Sequence, residues 1–464
     1  MSELGTLAVL PAEILRQVTI LLGDDDLKNM RLVHRFYTPA ATSALFSTIH
    51  VSPNMLSYER AMSIARCGDL AKHVRELRYH TARLDAGRTR PYVAGTPLGE
   101  RYPRWHVLDH ARRTGRTSDE LFKCFRQEVR AYYDFLFLGE VELLKRLTSH
   151  FSSLKAIGTV REEENSFPPP SNHIERRTGG QVIDSIVVDH FVSLVKATLN
   201  VSFTKLRADM RMWYDLTAFD NLPGAAERFG RVRELHLRLD YPEILHDEQD
   251  NVKKSFKNFL RKFTNLEALA LDFGLWARFG QTRNPLLLTQ APLYEKTFPR
   301  LSRLEVCGLV SYEEPFIQFL KSHANTLEDL TISSFIIRQK PNGPRSWAHP
   351  HSSTASILSL FSRIHDVCRL NRARINAYFT NLHDEFWMVK PGARGGLVSD
   401  IERFLCRRGH WPFQDLSRYL GVQKTHMETM VAYRRLGDFS ILPPLPPAMA
   451  FCDAYWIWHD PRVG

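Results

Sequence analysis

The sequence predicts an α/β protein in which three short helices precede a series of alternating short strands and helices. Two observations support this fold class. Apolar residues recur at helical spacing between positions 10 and 46. Beyond them, an apolar-x-x-apolar-x-apolar pattern returns six or more times, and its last three positions alternate as in a strand with one buried face. Amphipathic helical stretches lie between several of the copies.

Local chemistry predicts the ends of the three N-terminal helices. Pro11 suits the first helical position, where a missing N–H costs nothing. Gly23 suits the end of the same helix. The acidic run 24–26 provides an N-cap and negative charge for the second helix. Thr38 followed by Pro39 marks the start of the third helix.

This N-terminal segment resembles an F-box. The resemblance is carried, in the order of the family pattern, by Leu10, Pro11, Glu13, Ile14, Leu15, Asp26, Leu27, Arg31, Val33, Phe36, Leu45 and Phe46. It covers residues 8–52, about a tenth of the chain. It implies a three-helix domain that docks to the Skp-type adaptor of a ubiquitin ligase. By the same resemblance, the residues facing the adaptor are Leu10, Pro11, Ile14, Leu15, Leu27 and Val33.

A plain helical cap on a larger core is the alternative interpretation of this segment. About forty residues rarely bury enough surface to fold without support. Yet the large apolar residues between positions 10 and 22 are too many to lie on one face of a helix. Some of them are therefore expected on a second apolar surface, which favours a docking site.

The apolar pattern of residues 53–377 resembles an irregular series of leucine-rich repeats. Its copies are Val74-Leu77-Tyr79, Leu154-Ile157-Thr159, Phe203-Leu206-Ala208, Val232-Leu235-Leu237, Leu266-Leu269-Leu271, Leu301-Leu304-Val306, Leu327-Leu330-Ile332 and Leu370-Ala373-Ile375. The resemblance implies a solenoid of short parallel strands and helices. An ordinary α/β fold with a parallel sheet is the competing interpretation, because alternating strands and helices give the same pattern.

Three insertions are predicted to interrupt this domain, near residues 82–118, 165–181 and 338–354. The first is rich in arginine, which indicates a solvated insertion or a site for an acidic ligand. Residues 378–464 are predicted to form a C-terminal cap on the last repeat. The proline-rich run 443–447 within them has a polyproline ligand for another protein module as its alternative function.

Composition limits the cellular environment. The six cysteines among 464 residues form neither a local metal pair nor a disulfide framework, which is typical of a reducing compartment. No signal peptide and no apolar run of about 20 residues is recognised, so membrane insertion is not expected. These features predict a cytoplasmic or nuclear location. The net charge of +11 can attract acidic partners or nucleic acid.

No motif for catalysis is present in the sequence. It contains neither of the common glycine-rich phosphate loops, no Gly-x-Ser-x-Gly elbow and no His-Glu-x-x-His helix. We therefore predict no catalytic residue, no cofactor and no metal ion. The resemblance implies a non-catalytic substrate receptor of a Skp–cullin–F-box ubiquitin ligase, which holds a target protein on its repeat domain. The alternative is a basic interaction protein or nucleic-acid-binding protein without that role.

Overall fold

The computed structural model describes residues 10–80, 134–160, 184–210, 216–220, 222–239, 249–273, 296–338, 357–380, 385–389, 396–412, 422–424 and 454–458. These residues form a mixed α/β structure, which confirms the predicted class. The chain divides into two compact units, unit 1 (Met1–Met210) and unit 2 (Arg211–Gly464).

Unit 1 contains a parallel sheet preceded by three helices. Its elements are α1 (Ala12–Ile20), α2 (Asp24–Val33), α3 (Thr38–Leu45), β1 (Thr48–Val51), α4 (Met55–Arg66), α5 (Gly68–Ala71), β2 (Glu76–His80), α6 (Glu140–Thr148), β3 (Ala156–Val160), α7 (Asp184–Ala197) and β4 (Lys205–Met210). Its strands pair in parallel in chain order, β1 with β2, β2 with β3 and β3 with β4.

Unit 2 contains a mainly parallel sheet that ends in antiparallel strands. Its elements are a 3₁₀ helix (Leu216–Phe219), α8 (Ala225–Gly230), β5 (Glu234–Leu239), α9 (Gln249–Arg261), β6 (Ala268–Asp272), β7 (Arg303–Cys307), β8 (Val310–Tyr312), α10 (Glu313–Ser322), β9 (Asp329–Arg338), α11 (Ile357–Val367), β10 (Arg372–Thr380), β11 (Glu385–Val389), α12 (Gly396–Leu405), β12 (Val422–Lys424) and β13 (Ala454–Trp458). Strands β5, β6, β7, β9 and β10 lie side by side in parallel, and β8 pairs with the end of β9. Strand β11 is antiparallel to β10 and to β13, and β12 is parallel to β13.

Each of the eight copies predicted from the sequence coincides with a parallel strand, and the side chains at its three positions are buried. The middle position of the pattern forms a row across each sheet. In unit 1 this row is Ile49, Leu77, Ile157 and Leu206. In unit 2 it is Leu235, Leu269, Leu304, Leu330 and Ala373. Ile49 belongs to a further copy, Phe46-Ile49-Val51, which was not among the predicted copies and in which Ile49 and Val51 are buried and Phe46 is half-buried.

Within each unit, every strand that carries the pattern and comes after another such strand is preceded by the same pair of backbone hydrogen bonds. The two amides between the first and second apolar positions both donate to one carbonyl of the preceding copy. For β3, the N–H groups of Lys155 and Ala156 donate to the Arg75 carbonyl at 2.8 and 2.9 Å. Equivalent bonds join β1 to β2, β3 to β4, and each neighbouring pair from β5 to β10. The pattern therefore repeats in backbone geometry as well as in sequence.

The three N-terminal helices are present, with ends that differ slightly from those predicted. Helix α1 begins after Pro11, whose carbonyl accepts the first helical bond from Leu15 (3.1 Å). Gly23 is the N-cap of α2, and its carbonyl accepts a bond from Leu27 (2.9 Å). The acidic run 24–26 therefore forms the first turn of α2, where its charge favours the positive end of the helix.

Helix α12 and the turn after it protect the outer edge of β10 and of the residue before it. Strand β11 pairs with residues 377–380 of β10. Earlier in β10, the Glu402 side chain of α12 accepts a bond from the Ile375 N–H (3.0 Å). Just before β10, the Asn371 carbonyl accepts a bond from Arg408, which follows α12 (3.1 Å). Side chains thus bond to an edge that another strand could otherwise extend.

Several sequence predictions lie outside the described residues. These are the insertions at 82–118 and 165–181, the third insertion except Arg338, and the proline-rich run 443–447. Within the part of the chain that the structure describes, no helix combines the length and apolar character needed to cross a lipid bilayer.

Candidate functional site

A small apolar core holds the three N-terminal helices together. Leu15 of α1, Leu27 of α2 and Ala41 of α3 are buried, as is Tyr37 just before α3. Helix α3 packs against both α1 and α2. The Thr38 hydroxyl donates to the carbonyl of Arg31 on α2 (3.1 Å), which fixes the turn between α2 and α3.

The helices continue directly into the sheet of unit 1. Only two residues separate α3 from β1. One of them, Ser47, donates its hydroxyl to the Ala44 carbonyl (2.7 Å). The Ser47 carbonyl accepts the N–H groups of Arg75 and Glu76 (2.8 and 3.0 Å). The end of the helical segment is therefore hydrogen-bonded to the start of β2.

The same helices expose a large amount of apolar surface. The exposed large apolar side chains between positions 14 and 36 are Ile14, Val18, Ile20, Leu21, Leu32, Val33 and Phe36. Ile14, Val18 and Leu21 follow at helical spacing and share one face of α1, beside the buried Leu15. Leu21 and Leu32 are each 85% exposed. The three on α1 form a local apolar stripe, and exposed apolar patches mark interaction sites. We call these seven residues the N-terminal apolar surface.

The six residues predicted to face an adaptor divide between the surface and the core. Pro11, Ile14 and Val33 are exposed, and Leu10 is half-buried. Leu15 and Leu27 are buried, so in the free protein they hold the helices together.

Leu21 and Leu32 are the two most exposed residues of the N-terminal apolar surface, and both were absent from the predicted adaptor-facing set. A signal for Leu21 was available, because it lies seven residues after Ile14 on the same helical face.

An exposed ion pair lies in the first turns of α2. The Lys28 ammonium donates to the Asp25 carboxylate (2.8 Å). This hydrogen bond, together with the charge of Lys28, lowers the pKa of Asp25. Both side chains are exposed, so the pair adds little to stability.

The sheet of unit 1 has one polar face. The residues that alternate with its buried positions include His50 and Arg78, which are register partners, and His80. The His50 Nδ1 and His80 Nε2 atoms are 2.9 Å apart. Burial lowers the pKa of His80 to about 4, and burial and the nearby Arg78 charge lower the pKa of His50. A hydrogen bond between the two rings requires that at least one of them be neutral, and the lowered pKa of His80 favours its neutral form at pH 7.

A buried polar cluster lies on the other face of the same sheet. The Tyr79 hydroxyl of β2 and the Nδ1–H of His190 on α7 both donate to the Glu140 carboxylate at the start of α6. The cluster links one strand to two helices. Its three members are buried and far apart in sequence, and no local sequence motif predicts the cluster.

No arrangement for metal binding accompanies these surfaces. Among the described residues, no group of three or more His, Cys, Asp or Glu side chains is placed to hold a metal ion. Comparison with protein-family models gives no match, and neither does comparison with curated proteins. The candidate sites described above are two surfaces, the N-terminal apolar surface and the polar sheet face.

Proposed function

We propose that the protein is a non-catalytic substrate receptor of a Skp–cullin–F-box ubiquitin ligase. The observation that carries the proposal is the N-terminal apolar surface, which lies on helices whose sequence follows the F-box pattern. A few buried apolar side chains are sufficient to anchor such an interface. Leu21, Leu32 and Val33 would contribute, together with Ile14 and Pro11. Leu15 and Leu27 would support them from the core.

The strand arrangement supports a repeat domain as the target-binding part. Within each unit, the strands that carry the apolar pattern follow one another in order, which is typical of a leucine-rich-repeat-like solenoid. One face of the unit 1 sheet is buried and the other carries polar side chains that can contact a target. The receptor would raise the effective concentration of a target lysine near the conjugating enzyme, through the adaptor and a cullin, without itself breaking a bond. We place this activity in the cytoplasm or nucleus.

The test is co-purification of the full-length protein with a Skp-type adaptor. The variant Leu21→Glu with Leu32→Glu places two carboxylates on the N-terminal apolar surface without touching its core. Each lost apolar contact costs about 1.5 kcal/mol or more, so adaptor affinity should fall about 100-fold or further. The matched control, Leu56→Glu with Phe137→Glu, changes two other exposed apolar residues of unit 1 and should leave binding unchanged. Adaptor binding that survives the first variant, or that is lost equally in the control, contradicts the proposed docking surface.

A further inference from the structure

The turn between α2 and α3 carries one end of the N-terminal apolar surface. Helix α2 ends at Val33 and α3 begins at Thr38. Leu32 and Val33, in the last turn of α2, are exposed, and so is Phe36 within the turn. The backbone of the turn therefore decides where the Phe36 side chain lies relative to the two apolar side chains that precede it.

His34 holds this turn with both its backbone and its side chain. Its carbonyl accepts the Tyr37 N–H at 3.0 Å. Its Nδ1 accepts the Phe36 N–H at 3.1 Å. A side-chain acceptor two positions before the N–H that it binds is the arrangement of an Asx turn, in which Asn or Asp supplies the oxygen. The imidazole of His34 thus replaces the Asn or Asp side chain of such a turn.

The side chains of the turn pack on Tyr37, which is buried. The ring centroid of Tyr37 lies 6.0 Å from that of His34 and 5.7 Å from that of Phe36, and both contacts are edge-on. Phe36 is nevertheless 43% exposed. Within the described part of the chain, its N–H has no acceptor other than the His34 Nδ1. Tyr37 therefore supports the Phe36 ring, and the bond to His34 fixes the Phe36 backbone.

We propose that His34 is a positioning residue of the docking surface, because its Nδ1 fixes Phe36 in the orientation that the adaptor contacts. The inference rests on the proposed function and adds to it the residue that shapes one end of the interface. Without the bond, the turn gains conformations that the native state excludes. Only the fraction in the competent conformation binds, so the apparent affinity falls by that fraction. His34 acts through Phe36 and need not itself touch the adaptor.

The experiment measures the affinity of the full-length protein for a Skp-type adaptor by isothermal titration calorimetry. The test variant His34→Ala removes the acceptor, whereas the rescue variant His34→Asn supplies an oxygen that accepts from the same N–H. The matched control His150→Ala changes another exposed histidine of unit 1, one without a side-chain hydrogen bond among the described residues. We expect affinity to fall about three- to ten-fold in His34→Ala. It should stay within about two-fold of wild type in the rescue variant and in the control.

A double-mutant cycle tests whether His34 acts through Phe36. In Phe36→Ala the positioned ring is absent, so adding His34→Ala should lower affinity by less than about two-fold further. Hydrogen exchange of the free protein, followed by mass spectrometry on the peptide that contains Phe36, reports the bond without the adaptor. Exchange should be faster in His34→Ala than in wild type, and His34→Asn should restore the wild-type rate.

Equal affinities of wild type and His34→Ala would overturn the proposal. A loss in His34→Asn as large as that in His34→Ala would do the same, because the acceptor would then not be the group that matters. A loss that persists undiminished in the Phe36→Ala background would show that the adaptor contacts the imidazole directly. Failure of wild type to bind the adaptor would contradict the proposed function, and the exchange measurement would then decide by itself whether His34 holds the turn.

Discussion

Removal of the Tyr79 hydroxyl should destabilise unit 1 through the buried Glu140 carboxylate. In Tyr79→Phe the carboxylate loses one of its two described donors and keeps the bond from His190. Loss of one hydrogen bond to a buried carboxylate costs about 1–3 kcal/mol. For a unit of about 200 residues this corresponds to a decrease in melting temperature of about 2–12 °C. Thermal unfolding followed by circular dichroism measures the change.

Tyr58 provides a matched control in the same unit. Its side chain is also buried, but its hydroxyl oxygen has no hydrogen-bond partner within the described part of the chain. Tyr58→Phe removes an unsatisfied polar group, so it should leave stability unchanged within about 0.5 kcal/mol or increase it. If Tyr58→Phe and Tyr79→Phe lowered the melting temperature equally, the loss would reflect disturbed ring packing, and the role assigned to the Glu140 cluster would be wrong.

Two further predictions concern titration and helix capping. Burial lowers the pKa of His323 and lowers that of His80 to about 4. The folded state then binds fewer protons than the unfolded state between about pH 6.5 and 4, so the urea midpoint should decrease as pH falls through this range. His80→Asn with His323→Gln should flatten that dependence, and an unaltered slope would refute the assignment. In unit 2, the Lys296 ammonium donates to three carbonyl oxygens at the end of α9 (2.9, 2.9 and 3.0 Å). Lys296→Met should therefore cost about 1–3 kcal/mol in urea unfolding, with Lys296→Arg retaining part of the stability. Equal midpoints for Lys296→Met and wild type would contradict this capping role.

The strands were predictable because their signal is local. Alternation in the apolar pattern requires only that one face of each strand be buried, and the structure buries that face in every copy. The apolar stripe of the basic helix α9 was predictable for the same reason, and its Phe256, Phe259 and Leu260 are all buried.

The orientation of α1 and the buried polar cluster required tertiary information. Ile14 and Leu15 are neighbours of similar hydrophobicity, and only packing against α3 decides that Leu15 faces inward. The Glu140 cluster joins residues 61 and 50 positions apart, so no window of sequence contains it. Helix ends differed from prediction because Gly23 suits both the end of one helix and the start of the next.

The hydrogen bonds of Ser47 bear on where this protein can be divided. The family resemblance draws its boundary after residue 52, yet β1 lies before that point and pairs with β2. A truncated protein beginning at residue 53 would expose the backbone edge of β2 to solvent or to other chains. One beginning at Ser47 would keep that edge covered while removing all three helices. To study the N-terminal apolar surface and the polar sheet face separately, the chain should therefore be divided between α3 and β1.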